Sequence, residues 1–211
     1  FGAKAGILPL HIWLPEAHPA APSPVSALMS AVMLKTAVYG VLRVTFDLIA
    51  TPLWWWGAVL LALGLATALF GVVFAAVQVD MKRLLAYSSI ENIGLIFAAI
   101  GLTLVFAAYR MHALAALALT AAVLHATGER NLGRLGGLIR TMPWVAWVTL
   151  VGVLASAGLP PLGGFVSEWL LLQSFLFTPG LPNPVLNMLI PVVAALIALV
   201  AALAGYTMVK F

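Results

Sequence analysis

Residues 54–78 contain no charged side chain. A helix rising 1.5 Å per residue crosses the hydrocarbon core of a bilayer, roughly 30 Å, with about 20 such residues. Similar apolar windows recur at 25–46, 84–108, 144–177 and 183–209, with a shorter one at 110–126. Over the chain 64% of residues are apolar, 8% are charged and the mean hydropathy is +1.14. Soluble domains carry about 25% charged residues, and a surface this poor in charge cannot be wetted. The sequence therefore predicts an all-α polytopic membrane protein with about six or seven transmembrane helices, forming one transmembrane domain over residues 1–211. Both ends lie in apolar stretches, so the expectation is the interior of a longer protein.

Two breaks interrupt the pattern. Residues 1–12 read as the end of a helix broken near Pro9. The next segment, 13–24, holds Pro15, Pro19, Pro22 and Pro24, and the expectation is a loop, since proline removes a backbone donor and restricts the residue before it. The run 144–177 is too long for one straight span, and Gly158-Leu159-Pro160-Pro161-Leu162-Gly163-Gly164 cuts it in two. That predicts a discontinuous helix, tolerated in a membrane only where protein or a watery cavity satisfies the broken backbone. Trp54-Trp55-Trp56 suits an interfacial anchor. Asp80-Met81-Lys82-Arg83 reads as a charged turn, and 127–142 as a polar loop.

The net charge of +4 could suggest nucleic acid, but the basic residues sit mostly in loops. On the side of the proline-rich segment lie Lys82, Arg83, Arg130, Arg134, Arg140 and Lys210; on the other lie Arg43 and Arg110. This asymmetry makes the first side cytoplasmic and leaves lipid, not nucleic acid, as the medium. There is no cysteine, which excludes thiolate metal sites, cysteine-bound clusters and disulfides. No HExxH, GxSxG, P-loop or dinucleotide motif occurs. No cofactor, metal or catalytic residue is expected in this chain, whose role in any enzyme would be that of a subunit.

Charge at membrane depth is costly and so marks function. Lys35 falls in the middle of 25–46, too deep to reach the interface easily. Desolvation disfavours its ammonium and would let it take and release a proton; the alternative is a structural cation paired with an acid. Lys4 lies before Pro9, and Glu168 just after the Gly-Pro break, near a helix N-terminus that favours a carboxylate. Either could also be structural. Glu91, within Tyr87-Ser88-Ser89-Ile90-Glu91-Asn92, is open between a proton path and a headgroup position. His11 and His18 flank the proline-rich segment, as proton carriers or as solvated loop residues. His112 and His125, near helix ends, read as structural.

The run from Lys4 through Pro9, His11, Trp13, Pro15-Glu16-Ala17-His18-Pro19 and on to Leu34-Lys35-Thr36-Ala37-Val38-Tyr39-Gly40 resembles the signature of antiporter-like subunits of respiratory complex I, Mrp antiporters and membrane hydrogenases. Asp80 to Ser89 and Gly158 to Glu168 resemble two further motifs of that family, in the family's order. Glu16 to Pro22, Ser88 to Asn92 and Val123 to Asn131 are similar to the large membrane subunit of hydrogenase-4 and formate hydrogenlyase. The resemblance implies a fourteen-helix fold, of which this chain covers about the seventh to thirteenth helices. It also implies a buried proton chain in which Lys4 pairs with an upstream glutamate, Lys35 begins a central axis and Glu168 ends it at the exit. The partners implied are membrane and peripheral subunits of a hydrogenase or complex-I-type assembly in a bacterial or archaeal cytoplasmic membrane.

One departure matters. The family pattern carries a His-x3-His-x3-Lys segment before Val123-Leu124-His125-Ala126-Thr127-Gly128, and here about twenty residues are missing against it. The expectation is a polar axis interrupted between Lys35 and Glu168, filled by Ala, Leu and Thr of the helix 110–126. Three readings follow: a proton-translocating subunit of a redox-driven complex, a Na⁺/H⁺ antiporter subunit, or a degenerate subunit that only spaces its neighbours.

Overall fold

The computed structural model describes residues 1–48, 53–128, 147, 150, 154, 157–160, 163–178 and 181–210. Among them all regular structure is helical: α1 Gly2–Ala5, α2 Trp13–Ala20, α3 Ser23–Leu48, α4 Trp54–Val77, α5 Met81–Ala108, α6 His112–Gly128, α7 Gly163–Leu176 and α8 Pro184–Lys210. Helices α3, α4, α5 and α8 are long and apolar enough to cross a membrane. α6 has 17 residues, which at 1.5 Å each reach about 25 Å, short of a full hydrocarbon core. The loop expected over 127–142 lies almost wholly outside the described residues.

The core is the antiparallel pair α4 and α5. Gly57, Gly64 and Gly71 recur every seventh residue on α4, and Gly94 and Gly101 do so on α5. They face one another. A Cβ on Gly57 would lie 2.6 Å from the Gly101 carbonyl oxygen, one on Gly64 2.7 Å from the Gly94 carbonyl, and one on Gly71 2.5 Å from the Glu91 nitrogen. Lipid is as apolar as leucine, so burial alone drives little association here; close backbone contact supplies dispersion and weak Cα–H···O bonds instead. α5 packs against α4 on one side and α6 on another, with α2 and α3 also against it, and α7 packs on α6. α8 closes against α4 and α7. α5 is accordingly the most buried helix among the candidate spans.

The segment 13–24 is not a loop. Pro15 stands in the first turn of α2, where no backbone donor is needed, and Pro24 does the same in α3. Pro19 lies inside α2, and only Ala21 and Pro22, both with extended ψ, separate the two helices. The motif around Asp80 is a staple between elements as well as a turn. The Asp80 carboxylate accepts from the Lys82 backbone N–H at 3.0 Å and caps α5. The Lys82 ammonium donates to the Pro19 and Ala21 carbonyls at 3.3 and 3.0 Å, closing the C-terminus of α2 with the favoured charge. Arg83 pairs with Glu16 at 3.3 Å on the surface.

Both predicted breaks are built on glycines in the left-handed region. α1 ends at Gly6, φ 81°, with the Ile7 N–H donating to the Gly2 carbonyl. The Leu8 N–H donates to Thr67 Oγ of α4 at 3.2 Å, and the Trp13 indole donates to the Ala3 carbonyl at 2.8 Å, so the freed groups find partners. In the second break Leu154 is helical, Gly158 has φ 68° and the Leu159 N–H donates to the Leu154 carbonyl, before α7 starts at Gly163.

Gly64→Val should lower the thermal stability of the detergent-purified protein by roughly 2–3 kcal/mol, because its side chain meets the α5 backbone. Gly205→Ala, where an added Cβ meets nothing within 4 Å, should leave stability unchanged or slightly raised.

Candidate functional site

Lys35 follows a π-helical stretch, Met29–Met33, within α3. Such bulges often mark functional positions. Its ammonium reaches back to donate to the Ser30 carbonyl at 3.1 Å, and Ser30 Oγ hydrogen-bonds Ser89 Oγ of α5 at 2.7 Å. The side chain is partly buried and lies near enough to act electrostatically on the His125 ring of α6.

His125 is the junction. Its Nε2 is 2.5 Å from Asn92 Oδ1 on α5, and its Nδ1 is 3.0 Å from Ser167 Oγ on α7. Glu168, the next residue, shares with His125 and Ser167 a cavity of about 10 Å³, otherwise lined by Leu95, Ala99, Ala121, Ala122 and Leu171. That volume is at the lower limit for one water. The Glu168 carboxylate lies against the Gly158 turn: a Cβ there would be 2.7 Å from Oε2. One helix break thus makes room for the carboxylate that the other half of the broken helix supplies.

The sequence leads to the expectation of an apolar stretch between Lys35 and Glu168. Although the middle of α6 is apolar, its His125 stands between Lys35 and Glu168. The sequence does not place His125 beside these two residues. The signal available was its place among Asn92 and Ser167, polar residues in otherwise apolar helices, but only packing brings the three together.

The other candidates divide. Glu91 is 3% exposed and lies about 15 Å along α5 from its start by helix rise. Its backbone sits against Gly71. His18 is not a solvated loop residue: it is 4% exposed, and its Nδ1 is 2.5 Å from Ser26 Oγ. Burial, and then the Lys82 ammonium, push its imidazole below the usual range. His11 packs edge-on to Phe70 at a centroid distance of 4.6 Å. Buried Nδ1 of His11 and Nε2 of His18 have no hydrogen-bond partner among the described residues. Lys4 is exposed at the end of α1. Groups of three or more residues able to hold a metal are absent among the described residues.

Gly158→Ala should cost about 1–2 kcal/mol in the left-handed region and shift the infrared carboxyl band of Glu168, read by difference against Glu168→Gln. His18 sets a second expectation. Its folded-state pKa lies below the unfolded value of 6.5, so the unfolded state binds more protons under that pH. The stability from neutral His18 is present above pH 6.5 and declines as the pH falls. A melting series should show that decline, and His18→Asn should flatten it.

Residues 1–197 match the family described as NADH:quinone oxidoreductase/Mrp antiporter, TM. Hydrogenase-4 component B of Escherichia coli (strain K12) is 39% identical over 233 aligned positions, covering 100% of this chain and 34% of that protein. Formate hydrogenlyase subunit 3 of the same organism is 38% identical, covering 100% of this chain and 38% of that protein. The chain thus spans about a third of the length of these curated relatives. Alignment over 233 positions against 211 residues leaves at least 22 that this chain lacks within the matched region. The solved Mrp complex from Dietzia sp. DQ12-45-1b superposes with a TM-score of 0.71 at 29% identity, over 99% of this chain and 39% of that one.

Proposed function

Because the chain belongs to the NADH:quinone oxidoreductase/Mrp antiporter transmembrane family, we propose that it carries protons across the membrane as an antiporter-like subunit of a redox-driven complex. The observation that carries this reading is the chain of titratable groups on three neighbouring helices: Lys35 on α3, His125 on α6 and Glu168 on α7. Each group alone would be an expensive resident of the bilayer. Together they offer alternating sites for one proton. A proton on Lys35 repels a second on His125, because like charges in a low-dielectric interior interact strongly. Arrival of a proton on one site therefore favours its departure from the next. His125 and Glu168 both border the small cavity described above, which puts them on the same side of α6 and α7. Serines at 30, 89 and 167 and Asn92 supply hydrogen bonds that keep these groups oriented between transfers.

Lys4, Glu91, His11 and His18 are assigned to the approach to this axis. Electron transfer would take place in other subunits, since the sequence offers no cofactor motif. The assembly would be of the hydrogenase-4, formate hydrogenlyase or NADH dehydrogenase type. It would lie in a bacterial or archaeal cytoplasmic membrane, with Lys82 and Arg83 on the cytoplasmic side.

The test uses the intact complex in proteoliposomes with an internal pH dye. Lys35→Ala should reduce redox-driven proton flux to the level of empty vesicles while the complex still assembles. Lys35→Arg should also fail, because arginine stays protonated. Glu168→Gln should impair flux severely, since glutamine keeps the shape without titrating. Undiminished flux in all three would refute the reading, and flux that requires Na⁺ without any redox partner would assign the chain to a Na⁺/H⁺ antiporter instead.

A further inference from the structure

His125 is held by two polar neighbours, an amide whose orientation is fixed and a hydroxyl with a choice of acceptors. The Asn92 amide donates from Nδ2 to the Ser88 carbonyl at 2.9 Å, four residues back on α5. That contact turns its Oδ1 toward α6. Oδ1 can only accept, so the His125 nitrogen facing it at 2.5 Å, Nε2, must carry a hydrogen. A neutral imidazole has one N–H. The neutral ring is therefore the Nε2–H tautomer, and Nδ1 is left with a lone pair.

Nδ1 faces Ser167 Oγ at 3.0 Å. Ser167 is 1% exposed, and its hydroxyl donates to the Gly164 carbonyl at 2.8 Å in the first turn of α7. A hydroxyl has one hydrogen and two acceptors to serve here. With a lone pair on Nδ1, that hydrogen is drawn to the ring. With a proton on Nδ1, the ring donates to Oγ, and the hydroxyl hydrogen turns to the Gly164 carbonyl. No bond at Ser167 breaks in either state; His125 gains one proton and one positive charge.

We propose that Asn92 fixes the tautomer of His125, that Nδ1 is its proton-exchanging nitrogen, and that the Ser167 hydroxyl is a single-hydrogen switch that reports the charge on the ring to the first turn of α7. The proposal rests on the proton-transfer reading for its purpose and on hydrogen-bond inventory for its geometry. The switch sits one residue before Glu168, so its two settings differ in what the carboxylate's own helix turn accepts. Among the described residues, the charged and titratable groups near this ring are Lys35 from α3 and Glu168 from α7, while Glu91 of α5, next in sequence to Asn92, has its backbone against Gly71 of α4. Asn92 and Ser167 are positioning residues: neither changes its own protonation.

The test is ¹⁵N NMR of ring-labelled histidine in the intact complex in lipid, the His125 signals assigned by their loss in His125→Gln. In the unmutated protein at high pH, Nε2 should be protonated and Nδ1 bare, with the new proton appearing on Nδ1 as the pH falls. Asn92→Leu should release the tautomer into a mixture. Ser167→Ala should move the midpoint of the His125 titration by about one pH unit, and Ser167→Thr, which keeps the hydroxyl, should restore it. A neutral Nδ1–H tautomer in the unmutated protein would overturn the proposal without any variant. So would a midpoint indifferent to loss of the hydroxyl. Proton flux is measured on the same samples: a correct tautomer with no flux would reject the proton-transfer role and keep the lock, and flux with the wrong tautomer would do the reverse.

Discussion

The glycine-to-backbone contact between α4 and α5 is the constraint on which the rest depends. In a bilayer, two apolar helices gain little by leaving lipid for each other. The pair is held by contact close enough to require the absence of side chains at Gly57, Gly64, Gly71, Gly94 and Gly101. That contact fixes the rotation of α5 about its axis. Rotation in turn decides where Ser89 and Asn92 point, and so where Lys35 and His125 find partners. The Lys82 staple to α2 and the Thr67 hydrogen bond to Leu8 then tie the broken N-terminal helix to the same pair.

Several buried polar groups in this protein satisfy one another directly. Thr67 both donates to Leu63 and accepts from Leu8. Ser30 contributes its hydroxyl to α5 and its carbonyl to Lys35. An unsatisfied group here has no solvent to fall back on, and its cost is several kcal/mol. The helix breaks follow the same logic. Gly6 and Gly158 both lie in the left-handed region, where the Gly6 and Leu159 N–H groups are taken up locally, and the absence of a side chain at Gly158 leaves space for the Glu168 carboxylate.

Helix α6 has no titratable group in its middle. Its C-terminal part nevertheless brings His125 to the level of Ser167 and Asn92. A single imidazole, able to hydrogen-bond through both ring nitrogens, bridges α5 and α7.

Sequence alone determined the helical membrane class, the positions of the spans and both breaks, because these follow from local hydropathy, helix rise and the backbone limits of Gly and Pro. It also singled out Lys35 and Glu168, since charge in an apolar window is visible without a fold. It could not see that proline-rich 13–24 is helical, because a proline in a first turn and one in a helix interior read alike until the start of the helix is known. The seven-residue glycine spacing was legible, yet its meaning required the facing helix. His125 was decided by tertiary structure alone: hydrogen bonds to Asn92 and Ser167 join residues 33 and 42 positions away. A pairing at that distance is set by how α5, α6 and α7 rotate and slide against one another, which no single helix encodes.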